Sequence, residues 1–178
     1  LLFSLSFPVM AGKPIPRTFD GCIIDGKMMS IDGHRYSPTN FKPENTHEGK
    51  RLSVNGLLSP GDRFDLQLDS IKIAGKCDLF ENTSFRLGLG KELWMTARSL
   101  QKNGKTDDAL NTIGKAIEYN DTYPPFLALR ASLHAQKGNW KQAFADIDKA
   151  IQHARGDADH QYQVEDRMQL EAQQTYGF

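Results

Sequence analysis

The sequence predicts an α+β protein, in which a small, disulfide-closed, β-barrel-like domain is followed by an array of helices. The first half of the chain has short apolar runs separated by Asp-Gly dipeptides, which favour tight hairpin turns. The second half repeats with a period of 34 residues, because Gly104 falls on Gly138 and Ala109 falls on Ala143. Small and apolar residues recur at helical spacing within each copy. A chain of 178 residues has room for one or two small domains.

The charge balance narrows the possible partners. The chain has 22 basic and 22 acidic side chains, so its formal net charge is zero. A nucleic-acid binder needs a net basic face, and we therefore expect no nucleic-acid partner. No apolar stretch approaches the roughly 18 residues of a membrane-spanning helix, so no membrane span is expected in the mature chain.

The first residues differ from the rest. Residues 1–11, "LLFSLSFPVMA", are apolar, uncharged and end in a small residue, which predicts the remnant of a signal peptide. We therefore expect an exported protein, with the periplasm as its compartment, and a mature chain that begins at Gly12. The alternative is a buried N-terminal strand. Residues 12–18 carry two prolines and are predicted to form an extended arm.

Residues 19–78 have the pattern of a small β domain. Leu52 and Val54 alternate with polar residues, and so do Leu66 and Leu68. The alternation slips by one residue at positions 69–70, which predicts a bulge. Residues 37–50 are polar and contain prolines, so a loop is expected there. The predicted strands are residues 22–24, 28–31, 34–36, 51–55 and a bent fifth run to Ile73.

The segment "EGKRLSVNGLLSPGDRFDLQLDSIKIAG" resembles a small barrel of the OB or SH3-like type. OB-type domains bind oligonucleotides or oligosaccharides, so the resemblance implies one candidate function, a ligand binder that uses the β domain. Aromatic and cationic surface candidates are sparse in this segment, so we expect a structural or protein-binding module, and the ligand binder is the alternative.

Cys22 and Cys77 lie near the two ends of this β domain. An even pair of cysteines in an exported chain predicts one disulfide bond, and the alternative is two buried free thiols. No Cys-X-X-Cys motif is present, so neither a zinc site nor a redox motif is predicted.

The helical half resembles the tetratricopeptide repeat (TPR), a helix-turn-helix unit. The small residues of its signature match in both copies, and "GNWKQAFADIDKAI" (138–151) matches best, whereas Asp121 and Arg155 stand where the family often has proline. The interpretation is a linker at 79–89, a first repeat at 90–123, a second at 124–157 and a capping helix at 158–176. Pro124 and Pro125 are expected to open the third helix, and Val164, Met168, Ala172 and Tyr176 are expected to form an apolar row on the fifth. The predicted helices are residues 91–102, 106–119, 126–137, 140–153 and 158–175.

Two repeats make a short array, and repeat stacks usually need three or more units to bury a core. We therefore expect the first helix to pack its open side against the β domain, so that the two domains move as one body.

Motifs for catalysis are missing from the sequence. It contains no Gly-X-Ser-X-Gly, no phosphate-binding loop and no second histidine four residues after His47. We therefore expect a protein that is not an enzyme, with no catalytic residue, cofactor or metal.

The TPR resemblance implies a groove, lined by the first helix of each pair, that holds a partner peptide or helix. Trp and Arg are frequent anchors of such interfaces. The alternative for Trp94 is packing against the β domain. The predicted partner-binding residues are Lys91, Trp94, Arg98, Gln101, Lys102, Ser132, Gln136 and Tyr162, with Ala128, Ala135, Asp166 and Gln169 at further groove positions.

The function expected from these patterns is non-catalytic binding of another protein. One version is an adaptor or assembly factor of an envelope machine such as a secretion system. The alternative is an immunity protein that neutralises a periplasm-targeted toxin or effector.

Overall fold

The computed structural model describes residues 13–59 and 65–177. The predicted signal peptide and most of the predicted turn at 59–62 lie outside these residues. The described chain divides into two compact units between Phe85 and Arg86, and each unit has its own hydrophobic core. None of the described helices is long and apolar enough to cross a membrane.

The first unit is a closed barrel of five strands. They are β1 Ile15–Ile24, β2 Lys27–Ser30, β3 Arg35–Pro38, β4 Lys50–Leu58 and β5 Asp65–Lys76. The strand order is β1-β2-β3-β5-β4, and β4 pairs with β1 to close the barrel. All neighbouring strands are antiparallel except β3 and β5. This architecture, followed by helices, confirms the predicted α+β class.

Local signals predicted two features of the barrel correctly. Asp25 and Gly26 both have positive φ, as a two-residue hairpin turn requires, and the Glu48 carboxylate accepts hydrogen bonds from both of their backbone N–H groups. The predicted bulge is confirmed, because Asn55 pairs with Ser70 while the next residue of β4 pairs with Leu68, which leaves Asp69 unpaired.

The extended arm predicted at 12–18 is wrong in part, because β1 already begins at Ile15. Residues 15–20 pair with β4 alone, since β2 joins β1 only from Gly21 onward. Pro16 has no N–H to donate and is tolerated where one edge of its strand is free of a partner strand. Pro16 therefore marks a strand edge and not an unpaired segment.

The predicted disulfide joins Cys22 of β1 to Cys77, directly after β5, with a Cα–Cα distance of 5.7 Å. Both residues are buried, and no free cysteine occurs in the described chain. Arg51 of β4 reinforces this end of the barrel, because its guanidinium donates to both carboxylate oxygens of Asp78 at 2.7 and 2.8 Å.

The second unit consists of helices that pack their small residues inward. The residues predicted to form a linker at 79–89 instead form a 3-10 turn at Leu79–Glu81 and the first two turns of the helix Thr83–Lys102, which is α1. Gly90 lets this helix pack closely against Phe126, because an added Cβ would lie 2.7 Å from the Phe126 ring. The two prolines open α3 as predicted. The helices are α1 Thr83–Lys102, α2 Thr106–Tyr119, α3 Pro124–Gln136, α4 Trp140–His153 and α5 Asp157–Tyr176.

The face that α5 buries differs from the predicted apolar row. Gln163 and Leu170 are buried, whereas Met168 is 55% and Tyr176 is 70% exposed. Because α5 has few apolar residues, its side-chain periodicity is weak and does not determine which face turns inward.

The contribution of the disulfide bond to the stability of the barrel can be tested. The Cys22→Ala/Cys77→Ala double variant should lose about 4 kcal/mol of unfolding free energy, because the bond closes a loop with a sequence separation of 55 residues. Urea unfolding of the oxidised protein and the double variant measures this, and mass spectrometry checks that the wild type lacks two hydrogens. A urea midpoint that does not change when the bond is reduced would contradict the expectation.

The close packing of α3 against α4 generates a second test. Ala143 is fully buried in the helical core, whereas Ala145 is exposed on the same helix. Ala143→Leu should overpack the core and cost about 1–3 kcal/mol, while the matched Ala145→Leu variant should be nearly neutral. Thermal unfolding of both variants compares them, and equal losses would show that the helical register is wrong.

Candidate partner-binding groove

A groove of about 830 Å³ lies within the second unit, with walls on α1, α3 and α5 and one floor residue on α4. Such a volume falls in the range of about 300–1,000 Å³ that is typical of ligand sites. Its lining residues are Trp94, Arg98, Pro125, Ala128, Leu129, Ser132, Ile147, Tyr162, Gln163, Asp166, Gln169, Leu170 and Gln173.

The α1 wall consists of an aromatic ring with a cation stacked on it. Trp94 and Arg98 are four residues apart and therefore share one face of the helix. The Arg98 guanidinium carbon lies 4.9 Å from the centroid of the Trp94 ring, which is a cation–π contact. Trp94 is half-buried against the helical core, whereas Arg98 is exposed. No carboxylate within the described ranges pairs with Arg98.

The floor of the groove is apolar with one hydroxyl at its side. Leu129, Ile147 and Leu170 are buried side chains that line it. Ser132 of α3 accepts a hydrogen bond from the Gln101 side-chain amide at 3.1 Å, so α1 and α3 are held together beside the floor. An apolar floor with polar groups at its edges suits a ligand that has both apolar and polar parts.

The α5 wall carries amides and one carboxylate. Gln163 is only 5% exposed, and its Oε1 is buried without a hydrogen-bond partner in the described part of the chain. Asp166 is exposed at its surface, but partial desolvation of its carboxyl group, together with the nearby charge of Glu165, raises its pKa above the usual value. The Asp166 carboxylate is therefore less stable in the folded protein than in water.

The structure brings four of the eight predicted partner-binding residues together: Trp94, Arg98, Ser132 and Tyr162 all line this groove. The further positions Ala128, Asp166 and Gln169 line it as well. The others lie elsewhere. The Lys91 ammonium is 5.5 Å from the centroid of the Tyr123 ring, and the Gln101 amide contacts the groove residue Ser132. Ala135 is buried in the helical core. Lys102 and Gln136 are exposed and do not line the groove.

Sequence reasoning missed Gln163 and Gln173. Both lie on the groove face of α5, and their spacing from Asp166 and Gln169 places the four polar residues along one side of the helix. A stripe of polar residues on a capping helix is the default appearance of a solvated face, so the sequence alone carried no signal that this stripe lines a cavity.

A second cleft, of about 740 Å³, lies on the barrel along β2, β3 and the loop after β3. Its lining includes the cations Arg35 and Lys42 and the aromatic residues Tyr36 and Phe41. Asn40 fixes the loop, because its side chain donates to the Leu68 carbonyl and accepts from the Leu68 N–H.

Ser30, Asp32 and His34 form a polar cluster at the β2–β3 turn. The Ser30 hydroxyl donates to the Asp32 carboxylate, and His34 Nδ1 lies 3.2 Å from that carboxylate. Burial opposes ionisation, but the hydrogen bonds from Ser30 and His34 hold the pKa of Asp32 below its usual value. Ser30 also accepts from the His34 backbone N–H, so these contacts are those of a turn.

Searches of protein-family models, curated proteins and solved structures found no significant match to this chain. Among residues 13–59 and 65–177, no group of three or more His, Cys, Asp or Glu side chains has the arrangement of a metal site.

The carboxylate of the α5 wall generates a pH test. A carboxyl group whose folded pKa is raised binds more protons in the folded state, so its contribution to stability falls as pH rises above about 4. Asp166→Asn should therefore raise the melting temperature at pH 7, because the neutral amide does not carry the disfavoured charge. At pH 3 the gain should vanish, because Asp166 is then protonated in both states. Scanning calorimetry at the two pH values measures this, and an equal gain at both would show that charge is not the cause.

Proposed function

We propose that this protein is a non-catalytic, exported module that binds another protein in the groove of α1, α3 and α5, as an adaptor or assembly factor of an envelope machine. The observation that carries the proposal is the convergence of Trp94, Arg98, Ser132 and Tyr162 on one cavity with an apolar floor. Such a large aromatic anchor with a cation beside it, surrounded by amides and hydroxyls, is typical of a protein-binding hot spot.

The helical unit is proposed to be a two-repeat TPR array with a capping helix. In support, α2 Thr106–Tyr119 and α4 Trp140–His153 have the same length and lie 34 residues apart. The glycines before them, Gly104 and Gly138, have φ angles of 71° and 74°. In the TPR family the first helices of the pairs line the partner groove, and here α1 and α3 do so.

Export to the periplasm is supported by the disulfide bond. Disulfides persist in oxidising compartments and are rare in the cytosol. The apolar residues 1–11 have the composition of a signal peptide, which agrees with the same compartment.

A second candidate function, the binding of an oligosaccharide or another small ligand by the barrel, is favoured by the cleft along β2 and β3. Its aromatic residues and cations are the side chains that OB-type domains use for ligands. The groove is the better candidate for the main function, because it combines an apolar floor with an anchor pair.

The groove generates a test with a double variant. Trp94→Ala/Arg98→Ala should weaken binding of the partner, captured from the native host by crosslinking, by about thirtyfold or more, because loss of a hot spot commonly costs about 2 kcal/mol. Surface plasmon resonance with the purified partner measures the affinity. The control is Met95→Ala, since Met95 lies beside Trp94, is 48% exposed and does not line the groove.

The outcomes separate the alternatives. An unfolded double variant would show that Trp94 acts mainly as a structural residue. Normal binding by a folded double variant would show that the groove is not the site, and Phe41→Ala would then test the barrel cleft. A defect in secretion supports an assembly factor. Sensitivity to a toxin without any other defect supports the immunity role instead.

A further inference from the structure

We propose that the occupant of the groove is an extended peptide segment of the partner protein, with an Asp or Glu side chain that pairs with Arg98. This inference rests on the proposed function of the same groove and adds the chemistry of the ligand.

The carboxylate is inferred from Arg98. Elsewhere in this unit Arg130 and Arg167 each bind an aspartate, through Asp146 at 2.7 Å and Asp148 at 2.7 Å. Among the described residues, Arg98 pairs with no carboxylate, and its planar guanidinium stacks on the Trp94 ring where both line the groove. A guanidinium that is already oriented binds a carboxylate with two parallel hydrogen bonds and loses little side-chain entropy.

The extended conformation is inferred from Gln163. Its buried Oε1 has no donor within the described residues, and a buried unpaired acceptor is unfavourable. A partner helix would use its backbone N–H groups internally, whereas an extended segment presents them to its neighbours. Gln163 also lines the groove, so its side-chain amide is a group on this wall that an N–H of such a segment would meet.

The length of the segment follows from α5. Gln163 and Gln173 lie ten residues apart on the groove wall, which is about 15 Å at the helical rise. An extended chain covers that distance with about five residues. A large apolar side chain of the segment would fill the floor of Leu129, Ile147 and Leu170.

The charges of the two walls orient the segment and disfavour nucleic acid. Asp166, with Glu165 beside it, repels an acidic side chain on the α5 side, so the carboxylate of the ligand belongs on the α1 side at Arg98. A nucleic acid strand carries a phosphate at every nucleotide, and one guanidinium opposite the Asp166 carboxylate does not complement it.

The test is selection from a displayed library of random seven-residue peptides on the intact, oxidised protein. We expect enriched peptides with Asp or Glu close to a large apolar residue, and these should bind Trp94→Ala/Arg98→Ala at least tenfold more weakly. Met95→Ala should retain them. The best peptide is then synthesised in two forms, one with its acidic residue and one with Gln or Asn at that position. Fluorescence anisotropy measures the affinity of each form for the wild-type protein and for the Arg98→Gln variant, which gives four values.

For a direct contact, the Arg98→Gln variant and the peptide substitution should each weaken binding by about tenfold, and together by little more than either alone. Gln163→Leu should weaken peptide binding at least threefold while raising the melting temperature of the free protein, because it removes the unpaired acceptor. This inference is overturned if the selected peptides require Trp94 but contain no acidic residue, or if the effects of Arg98→Gln and of the peptide substitution add. Either result leaves the proposed function standing. Failure to recover any peptide that depends on the groove counts against both.

Discussion

Close contact between helices through small side chains is the constraint on which the helical unit depends. Ala97, Ala109, Ala131 and Ala143 are fully buried, and Gly90 has no room for a Cβ beside Phe126. Helices that meet through such residues approach at the short end of the usual interaxial range of about 8–10 Å. This spacing fixes the distance between α1 and α3, and so the width of the groove to which both contribute.

The stability of the barrel is limited by its size, because a domain this small buries only a small hydrophobic core. Domains of about 60 residues bury only about 60% of the surface that their unfolded chain exposes, and their stability is marginal. The core residues Ile23, Leu52 and Leu66 are almost fully buried, but they are few. The buried Cys22–Cys77 bond restricts the unfolded chain, and the pairing of Arg51 with Asp78 fixes the residue that follows Cys77. Covalent and ionic contacts at one end thus supplement a limited hydrophobic core.

Features that depend on neighbouring residues could be predicted from the sequence, and features that depend on distant contacts could not. The turn at Asp25 and the bulge at Asp69 have local signals in glycine and in alternation, and the positions of α2 and α4 followed from the repeat. Residues 15–18 were assigned wrongly because proline weakens the local strand propensity, whereas the pairing with β4 that forms the strand comes from far along the chain. Residues 83–89 were assigned wrongly because glycine weakens the local helix propensity, whereas the contact that favours the helix is with the distant Phe126. In the groove, Trp94 and Arg98 were predictable as neighbours on one helix. Gln163 was not, because its burial depends on how α5 is rotated about its own axis.

Two polar groups of the α5 wall, Gln163 and Asp166, are less well satisfied in the free protein than the ion pair of Arg130 and Asp146. Arg130 and Asp146 lie in the same unit, and there a partly buried guanidinium is matched by two short hydrogen bonds to one carboxylate. In the described part of the chain, the α5 wall instead holds the Gln163 amide oxygen without a donor and the Asp166 carboxylate with a raised pKa, whereas Arg98 on the α1 wall has no carboxylate partner but is exposed to water. A change of Gln163 or Asp166 to an apolar or neutral residue removes a cost to the free protein, and the same change at Arg98 does not. His134 Nδ1 is also buried without a partner among the described residues, but it lies outside this groove. Gln163 and Asp166 differ from it because both line a cavity, where a ligand can supply the missing partners.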